Sequence, residues 1–328
     1  MDVKGIDWNL NGYKATAHFF LCGAFESFHF IRNFLHTIQE RPWLLKDNVI
    51  IDSVFGSPTC IWNGGRSLDD VYYNKQLLCQ IHDEYEKLGI KVRFIFTNPL
   101  LNEYDLHDRY CNLVVDIFQD LSPEVVINSP LLEEYLRNKY PSLSFISSTT
   151  KRLRVESDQM KEFDKEYKYI CLDYDYNYNM DFLESIPKDE RDRVEILVNS
   201  ICPKGCKVRV LHQKFCAERQ LVFDNDNATN PNEAFVQECP LRKRRLSIPY
   251  SAQGYTKEYL SSTNYILPQD LNNYIDMGFS HFKIQGREVS SLELFAEAFP
   301  YLIKPEFYQL AISLVNEGYR NFKNIQNI

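Results

Sequence analysis

The chain has 328 residues, 44% of them hydrophobic, and a formal net charge of −8 at pH 7. This size allows one barrel-sized domain or two ordinary domains, and we predict a single domain over residues 1–328. The negative charge argues against nucleic acid as a partner, because phosphate binding needs clusters of cations. No apolar run approaches the ~18 residues of a membrane helix, and Met1–Leu10 is polar, so we expect no membrane span and a cytoplasmic protein.

Short runs rich in β-branched and aromatic residues recur along the chain, and each is predicted to be a strand. In chain order they are Phe19–Ala24, Val49–Val54, Val92–Phe96, Val125–Ile127, Leu143–Ile146, Tyr169–Leu172, Val194–Val198 and His281–Ile284. Helical patterns lie between them, at Ser27–Ile38, Asp69–Leu88, Leu106–Leu121, Leu131–Tyr140 and Ser157–Tyr167.

Apolar strands that alternate with helices indicate a parallel sheet covered on both faces, and eight such units close an α/β barrel of the (β/α)8, TIM-like class. An open doubly wound sheet is the alternative, although no glycine-rich phosphate loop follows the first strand. After the seventh strand we expect an inserted segment at about residues 199–265. Two closing helices, Ser291–Phe299 and Pro305–Asn316, are predicted within about residues 289–328.

The chain contains nine cysteines, which fall into two sets. Without an export signal, thiols or metal ligands explain them better than disulfides do. One set is scattered among apolar neighbours and is predicted to be buried in the core, namely Cys22, Cys60, Cys79, Cys111 and Cys171. The other set is grouped in the inserted segment, namely Cys202, Cys206, Cys216 and Cys239.

The grouped cysteines are candidate metal ligands. A turn containing Pro203 and Gly205 lets Cys202 and Cys206 point toward one centre, and a helical continuation would bring Cys216 to the same side. Four thiolates suit zinc or a cuboidal iron-sulfur cluster. The gaps of three, nine and twenty-two residues favour the irregular spacing of a 4Fe-4S cluster. Zinc, and buried cysteines without any metal, are the alternatives.

Arg209 and His212 are three residues apart, so a helix would place them on one face together with Cys206. They can donate hydrogen bonds to cluster sulfurs or bind an anionic substrate. The alternative is that both are ordinary surface residues.

At these cysteines, and at Gly278–Arg287, the sequence resembles the collagenase-like peptidase family, which includes UbiU and UbiV type iron-sulfur proteins of oxygen-independent ubiquinone synthesis. The second segment is similar to that family's Lys-hydrophobic-Glu-Gly-Arg signature, with Gln285 at the acidic position. Ile61–Arg66 and Ile266–Leu271 also look like family positions. The resemblance implies a barrel with a 4Fe-4S cluster on four cysteines. For the better understood relatives it implies hydroxylation without molecular oxygen, with prephenate as the oxygen source.

Reactive groups of such barrels lie at the carboxyl ends of the strands. We predict a small anionic substrate there, since arginines offer two-point donors to carboxylates and acids can move protons once burial raises their pKa. The predicted catalytic residues are Glu26, Asp52, Asp173, His212 and Lys283. The predicted substrate-binding residues are Arg66, Asn98, Asn199, Arg209 and Arg287.

Three functions remain open from the sequence. The first is an iron-sulfur enzyme that resembles the oxygen-independent hydroxylases. The second is a peptidase-like hydrolase, for which neither a Ser, His and acid motif nor an H-E-x-x-H helix is visible. The third is a non-catalytic iron-sulfur scaffold that binds a partner protein in a homo- or hetero-oligomer, as heterodimeric family members imply.

Overall fold

The computed structural model describes residues 10–64, 73–121, 124–221, 260–286 and 291–326. Parallel strands form a closed barrel in the order β1 to β8. The strands are β1 Gly12–Cys22, β2 Asp47–Gly56, β3 Lys91–Phe96, β4 Glu124–Ile127, β5 Ser144–Ser147, β6 Tyr169–Cys171, β7 Val194–Leu197 and β8 His281–Ile284. Every predicted strand is present, so the predicted α/β barrel is confirmed and the open sheet is wrong.

Helices alternate with the strands. In the described part of the chain they are α1 Phe28–Glu40, α2 Lys75–Leu88, α3 Arg109–Phe118, α4 Pro130–Lys139, α5 Glu156–Met160, α6 Met180–Ser185, α7 Arg209–Leu221, α8 Leu271–Asp276, α9 Ser291–Leu302 and α10 Tyr308–Gln326. The predicted helix Ser157–Tyr167 is wrong in its extent, because the chain turns after Met160 and brings Glu162 inward to Ser147. None of the described helices combines the length and the apolar character needed to cross a bilayer.

Side-chain caps fix where several of these helices begin. The side chain of Asn74 accepts a hydrogen bond from the Leu77 N–H, and Asp108 caps α3 in the same way. At the other end of α2, Gly89 adopts a left-handed conformation with φ 62°. The helix ends here, since glycine takes positive φ without a steric penalty.

The barrel interior contains buried charges that pair with one another. The guanidinium of Arg93, on β3, pairs with the carboxylates of Glu124 and Glu195, and all three side chains are at most 2% exposed. The same guanidinium lies 3.7 Å from the centre of the Phe20 ring. Charges this deep persist only when they are paired and hydrogen-bonded. The network therefore fills the barrel interior toward the amino ends of the strands, opposite the end where the carboxyl ends of the strands meet.

Candidate active site at the carboxyl ends of the strands

The segment that runs from the end of β7 through α7 carries three of the predicted metal ligands. Cys202 is buried and Cys206 is partly exposed, and the chain turns between them at Gly205, whose φ is +61°. Cys216 lies inside α7 and is 8% exposed. The fourth predicted ligand, Cys239, lies outside the described residues. Helix α7 begins at Arg209, so the prediction that Cys206 shares a helix face with Arg209 is wrong.

The segment that precedes β8 holds the cysteine turn in place. The Asn264 N–H donates to the Cys202 carbonyl oxygen at 3.4 Å, and the Lys204 N–H donates to the Ser262 carbonyl oxygen at 3.2 Å. An isolated antiparallel bridge joins Pro203 to Thr263. The turn is thus anchored to the segment that precedes α8.

Two arginines and two aspartates form a buried network next to this turn. Arg152 donates to Asp173 at 2.8 Å and pairs with Asp175 at 3.0 Å. Arg209 pairs with Asp175 at 3.0 Å and donates to the Pro203 carbonyl oxygen at 2.9 Å. The network joins the carboxyl end of β6 to the cysteine turn and to the first residue of α7.

The two aspartates titrate in opposite directions. Burial raises the pKa of Asp173 and outweighs the attraction of Arg152. Burial also acts on Asp175, but there the charge and the hydrogen bond of Arg209 prevail and the pKa of Asp175 is lowered. Asp173 is therefore the carboxyl group of this network that takes up a proton more readily than an ordinary aspartate.

The surroundings of the cysteine turn carry a surplus of positive charge. A third arginine, Arg154, is 40% exposed, lies 3.7 Å from Asp175 and donates to the Cys206 carbonyl oxygen at 2.9 Å. Three arginines thus face two aspartates, which leaves one positive charge. Within the described residues, the buried Nε–H groups of Arg152 and Arg209 have no hydrogen-bond partner. Such donors are costly to bury unless a ligand or water pairs with them.

Asn199 lies at the predicted place after β7. Its side chain, which was predicted to bind substrate, forms hydrogen bonds with the backbone of Gln285. Its amide nitrogen donates to the Gln285 carbonyl oxygen at 2.8 Å, and its amide oxygen accepts from the Gln285 N–H at 2.8 Å. Asn98, after β3, is used in a similar way: its amide nitrogen donates to the carbonyl oxygens of Ile61 and Ala217. Both residues position the loops of the site.

Two of the predicted catalytic residues contact other titratable side chains within the barrel. Asp52 lies within β2, which continues to Gly56, and its carboxylate is 3.1 Å from Nδ1 of His18. Lys283 points into the barrel interior, where its Nζ is 3.7 Å from the Glu195 carboxylate and 4.3 Å from the centre of the Phe55 ring. The expectation that Asp52 lies at the end of its strand is wrong, because β2 continues to Gly56. Lys283 does lie near the carboxyl end of its strand, since β8 ends at Ile284.

The remaining predicted residues are placed as follows. Glu26 is half-buried after β1, close to Gly56 at the end of β2. His212 is half-buried on α7, one turn after Arg209. Arg66 and Arg287 lie outside the described residues.

Arg152 and Asp175 belong to the site although the sequence did not single them out as functional. Arg152 follows β5 and has φ 58°, a left-handed conformation that is uncommon for a residue with a side chain. Asp175 follows Asp173 by two residues after β6. The second aspartate after the predicted strand Tyr169–Leu172 was the sequence feature that could have indicated Asp175.

Comparisons with known proteins give a fold relation. No family model matches the sequence, and no curated protein matches it. The solved structure of the U32 peptidase Mk0906 resembles this chain with a TM-score of 0.50 at 16% sequence identity. The match covers 84% of this chain and 94% of that chain. The chain thus shares its barrel fold with a U32 peptidase.

Proposed function

We propose that this chain is an iron-sulfur barrel protein that binds a small anion beside the Cys202–Cys206 turn. The observation that carries the proposal is the position of this turn against buried arginines, with one positive charge in excess. Cationic surroundings favour the thiolate form that metal ligands require. The resemblance to oxygen-independent hydroxylases supplies the finer reaction, and it is part of the proposal.

The spacing of the described thiols argues against a single zinc ion bound by all three. Within the described part of the chain, the sulfur atoms of Cys202, Cys206 and Cys216 do not all lie within 4.8 Å of one another. A zinc tetrahedron with bonds of about 2.3 Å would bring its sulfur ligands to about 3.8 Å. A cuboidal cluster spreads its cysteines over separate iron atoms and accepts wider spacing. When bound, such a cluster supplies electron transfer.

The chain's own residues supply binding and proton movement in this proposal. The Nε–H groups of Arg152 and Arg209 are donors for an anion at the mouth. Asp173, whose pKa burial raises, is the carboxyl group that exchanges a proton with the bound anion in this proposal. Asn199 and Gln285 fix the adjoining ends of β7 and β8.

Metal analysis of protein purified without oxygen tests the proposal. We expect iron and acid-labile sulfide in equal amounts and a brown colour. The Cys202→Ser variant should lose both, whereas the control Cys79→Ser, on α2, should keep them. A colourless protein that contains zinc, or a Cys202→Ser variant that keeps its iron, would contradict the proposal.

Anion binding is tested separately, with prephenate as the probe. It should raise the melting temperature of the holoprotein, and Arg154→Gln should reduce this shift because it removes the surplus charge. The control is Lys161→Gln, an exposed lysine at the end of α5. An equal shift in both variants would contradict the role given to the surplus charge of Arg154.

A peptidase is the second candidate, because the barrel resembles that of a U32 peptidase. Hydrolysis of casein-derived peptides by the iron-free Cys202→Ser variant, at the rate of the intact protein, would favour this candidate. Absence of hydrolysis in both proteins would leave the iron-sulfur proposal in place.

A further inference from the structure

Three potential metal ligands meet in the amino-terminal half of the barrel, at a site distinct from the cysteine segment. They are His18 of β1, Asp52 of β2 and His281, the first residue of β8. One ligand atom from each lies within 4.8 Å of the others. Since β1 pairs with both β2 and β8, three adjacent strands contribute one ligand each.

A bulge in β2 aims Asp52 at this point. Phe19 pairs with Ile51, but the next residue, Phe20, pairs with Ser53, so Asp52 is the extra residue of the irregular step. A bulge of this kind redirects one side chain and is found near functional sites. The irregularity brings the carboxylate to His18, with both oxygens 3.1 Å from Nδ1.

These separations suit a shared ion. Bonds of about 2.0–2.1 Å in a tetrahedral site place a nitrogen and an oxygen ligand about 3.3 Å apart, close to the distance between His18 and Asp52. The rings of His18 and His281 have their centres 4.9 Å apart. Two histidines and one carboxylate on one face are a ligand set for zinc or ferrous iron.

The second ring nitrogen of His281 is already engaged, as in known metal sites. Its Nδ1 is 3.0 Å from the Ser280 hydroxyl and 3.6 Å from the Asp192 carboxylate, and this hydroxyl donates to Asp192 at 3.0 Å. Bonding at Nδ1 leaves Nε2 as the ligand atom and fixes the ring orientation.

We infer that His18, Asp52 and His281 form a site for one divalent transition-metal ion of the zinc class, which joins β1, β2 and β8. The side chains of His18 and Asp52 are 27% and 29% exposed, which gives the ion access from solvent. Three protein ligands leave a coordination position for water.

Cobalt is the probe that separates this site from the cysteines. The full chain, treated with a chelator and dialysed, is titrated with Co²⁺ and then with Zn²⁺. We expect one equivalent of Co²⁺ with weak visible bands of nitrogen and oxygen ligands, displaced by Zn²⁺. Thiolate ligands would instead give an intense sulfur-to-cobalt band in the near ultraviolet.

Variants assign the ligands. His281→Ala and Asp52→Asn should each weaken Zn²⁺ binding at least tenfold, and Asp52→Asn, at a half-exposed position, should keep the fold. Asp192→Asn should weaken it by about 10–100-fold, as for other residues that orient a ligand. The matched control is His82→Ala, in the group His82, Asp83 and Glu86 on α2, where both acids are exposed.

The melting temperature gives an independent measurement. Zn²⁺ should raise it by several degrees in the parent chain and in His82→Ala, but not in Asp52→Asn. Zn²⁺ affinity unchanged by both His281→Ala and Asp52→Asn would overturn the inference. Absence of the weak nitrogen and oxygen bands from the Co²⁺ spectrum of the Cys202→Ser variant would also overturn it, without touching the proposal for the cysteine turn.

Discussion

The side-chain amide of Asn199 makes two hydrogen bonds with the backbone of Gln285, each 2.8 Å long. The last regular pair between β7 and β8 is Leu197 with Lys283. The amide therefore continues the pairing of these two strands past their ends, at the point where the chain leaves for the cysteine turn.

Substitution of Asn199 tests this relationship. Asn199→Ala removes both bonds and should cost about 1–3 kcal/mol of unfolding free energy. Asn199→Asp should cost more at pH 7, because a carboxylate oxygen then faces the Gln285 carbonyl oxygen. Protonation of the new carboxyl group restores a hydrogen-bond donor. The loss of unfolding free energy in Asn199→Asp should therefore become smaller as the pH falls, whereas the loss in Asn199→Ala should stay constant. Urea denaturation at several pH values measures the unfolding free energy of both variants. The same dependence on pH in the two variants would contradict the hydrogen bonds assigned to Asn199.

Gly64 lies against the end of β3 so closely that a side chain does not fit. A Cβ atom there would come closer than 3.0 Å to backbone atoms of Thr97 and Asn98. Gly64→Ala should therefore lower the unfolding free energy by about 3 kcal/mol, the upper part of the range for overpacking. The control is Gly318→Ala on α10, where the nearest atom is 3.6 Å away. In a helix this change should stabilise by about 0.5–1 kcal/mol, and the same sign for both variants would refute the prediction.

The interior ion pairs predict a strong effect at Arg93. Arg93→Met leaves the carboxylates of Glu124 and Glu195 without their shared partner in the interior of the barrel. The expected loss is about 3–5 kcal/mol, as for other buried pairs with one partner removed. Lys91→Met, at the exposed first position of β3, should change stability by less than about 0.5 kcal/mol. Chemical denaturation of Arg93→Met and Lys91→Met measures the two losses of stability. Similar unfolding midpoints for the two variants would contradict the stabilising role of the Arg93 ion pairs.

Glu162 predicts a dependence of stability on pH. Burial favours its protonated form, but hydrogen bonds from Lys151, Lys165 and Ser147 prevail and lower the pKa of Glu162. Because the folded pKa lies below the unfolded value, this carboxylate stabilises the fold above the unfolded pKa of about 4.3 and loses that effect as the pH falls through the folded pKa.

The Glu162→Gln variant should therefore be less stable than the parent by about 1.5–3 kcal/mol at pH 7, the range for hydrogen bonds to a charged group. The difference should narrow below about pH 4. Glu134→Gln, at an exposed position of α4, is the control and should follow the parent at every pH. Thermal unfolding between acid and neutral pH measures the three proteins, and a constant difference would contradict the assignment.

The strands were predictable because each is a short apolar run between turn residues, and covered parallel strands have that pattern. The end of β2 could not be predicted in this way. The bulge at Asp52 interrupts the alternation of side chains along β2, and the strand continues through Phe55 and Gly56. The pairing of Arg152 with Asp175 was also hidden. It joins two loops that only the closed barrel brings together, and charge signs alone do not specify such partners.

Barrel closure joins the first strand to the last, since β1 pairs with β8 through His18 and His281. During synthesis β1 leaves the ribosome long before β8, its second neighbour in the sheet, has been translated. Until β8 is made, one edge of β1 has unpaired backbone groups that can pair with a strand of another protein. A nascent chain of this protein thus passes most of its translation with an open sheet, which makes the interval before residue 281 the period of greatest exposure to aggregation and chaperone binding.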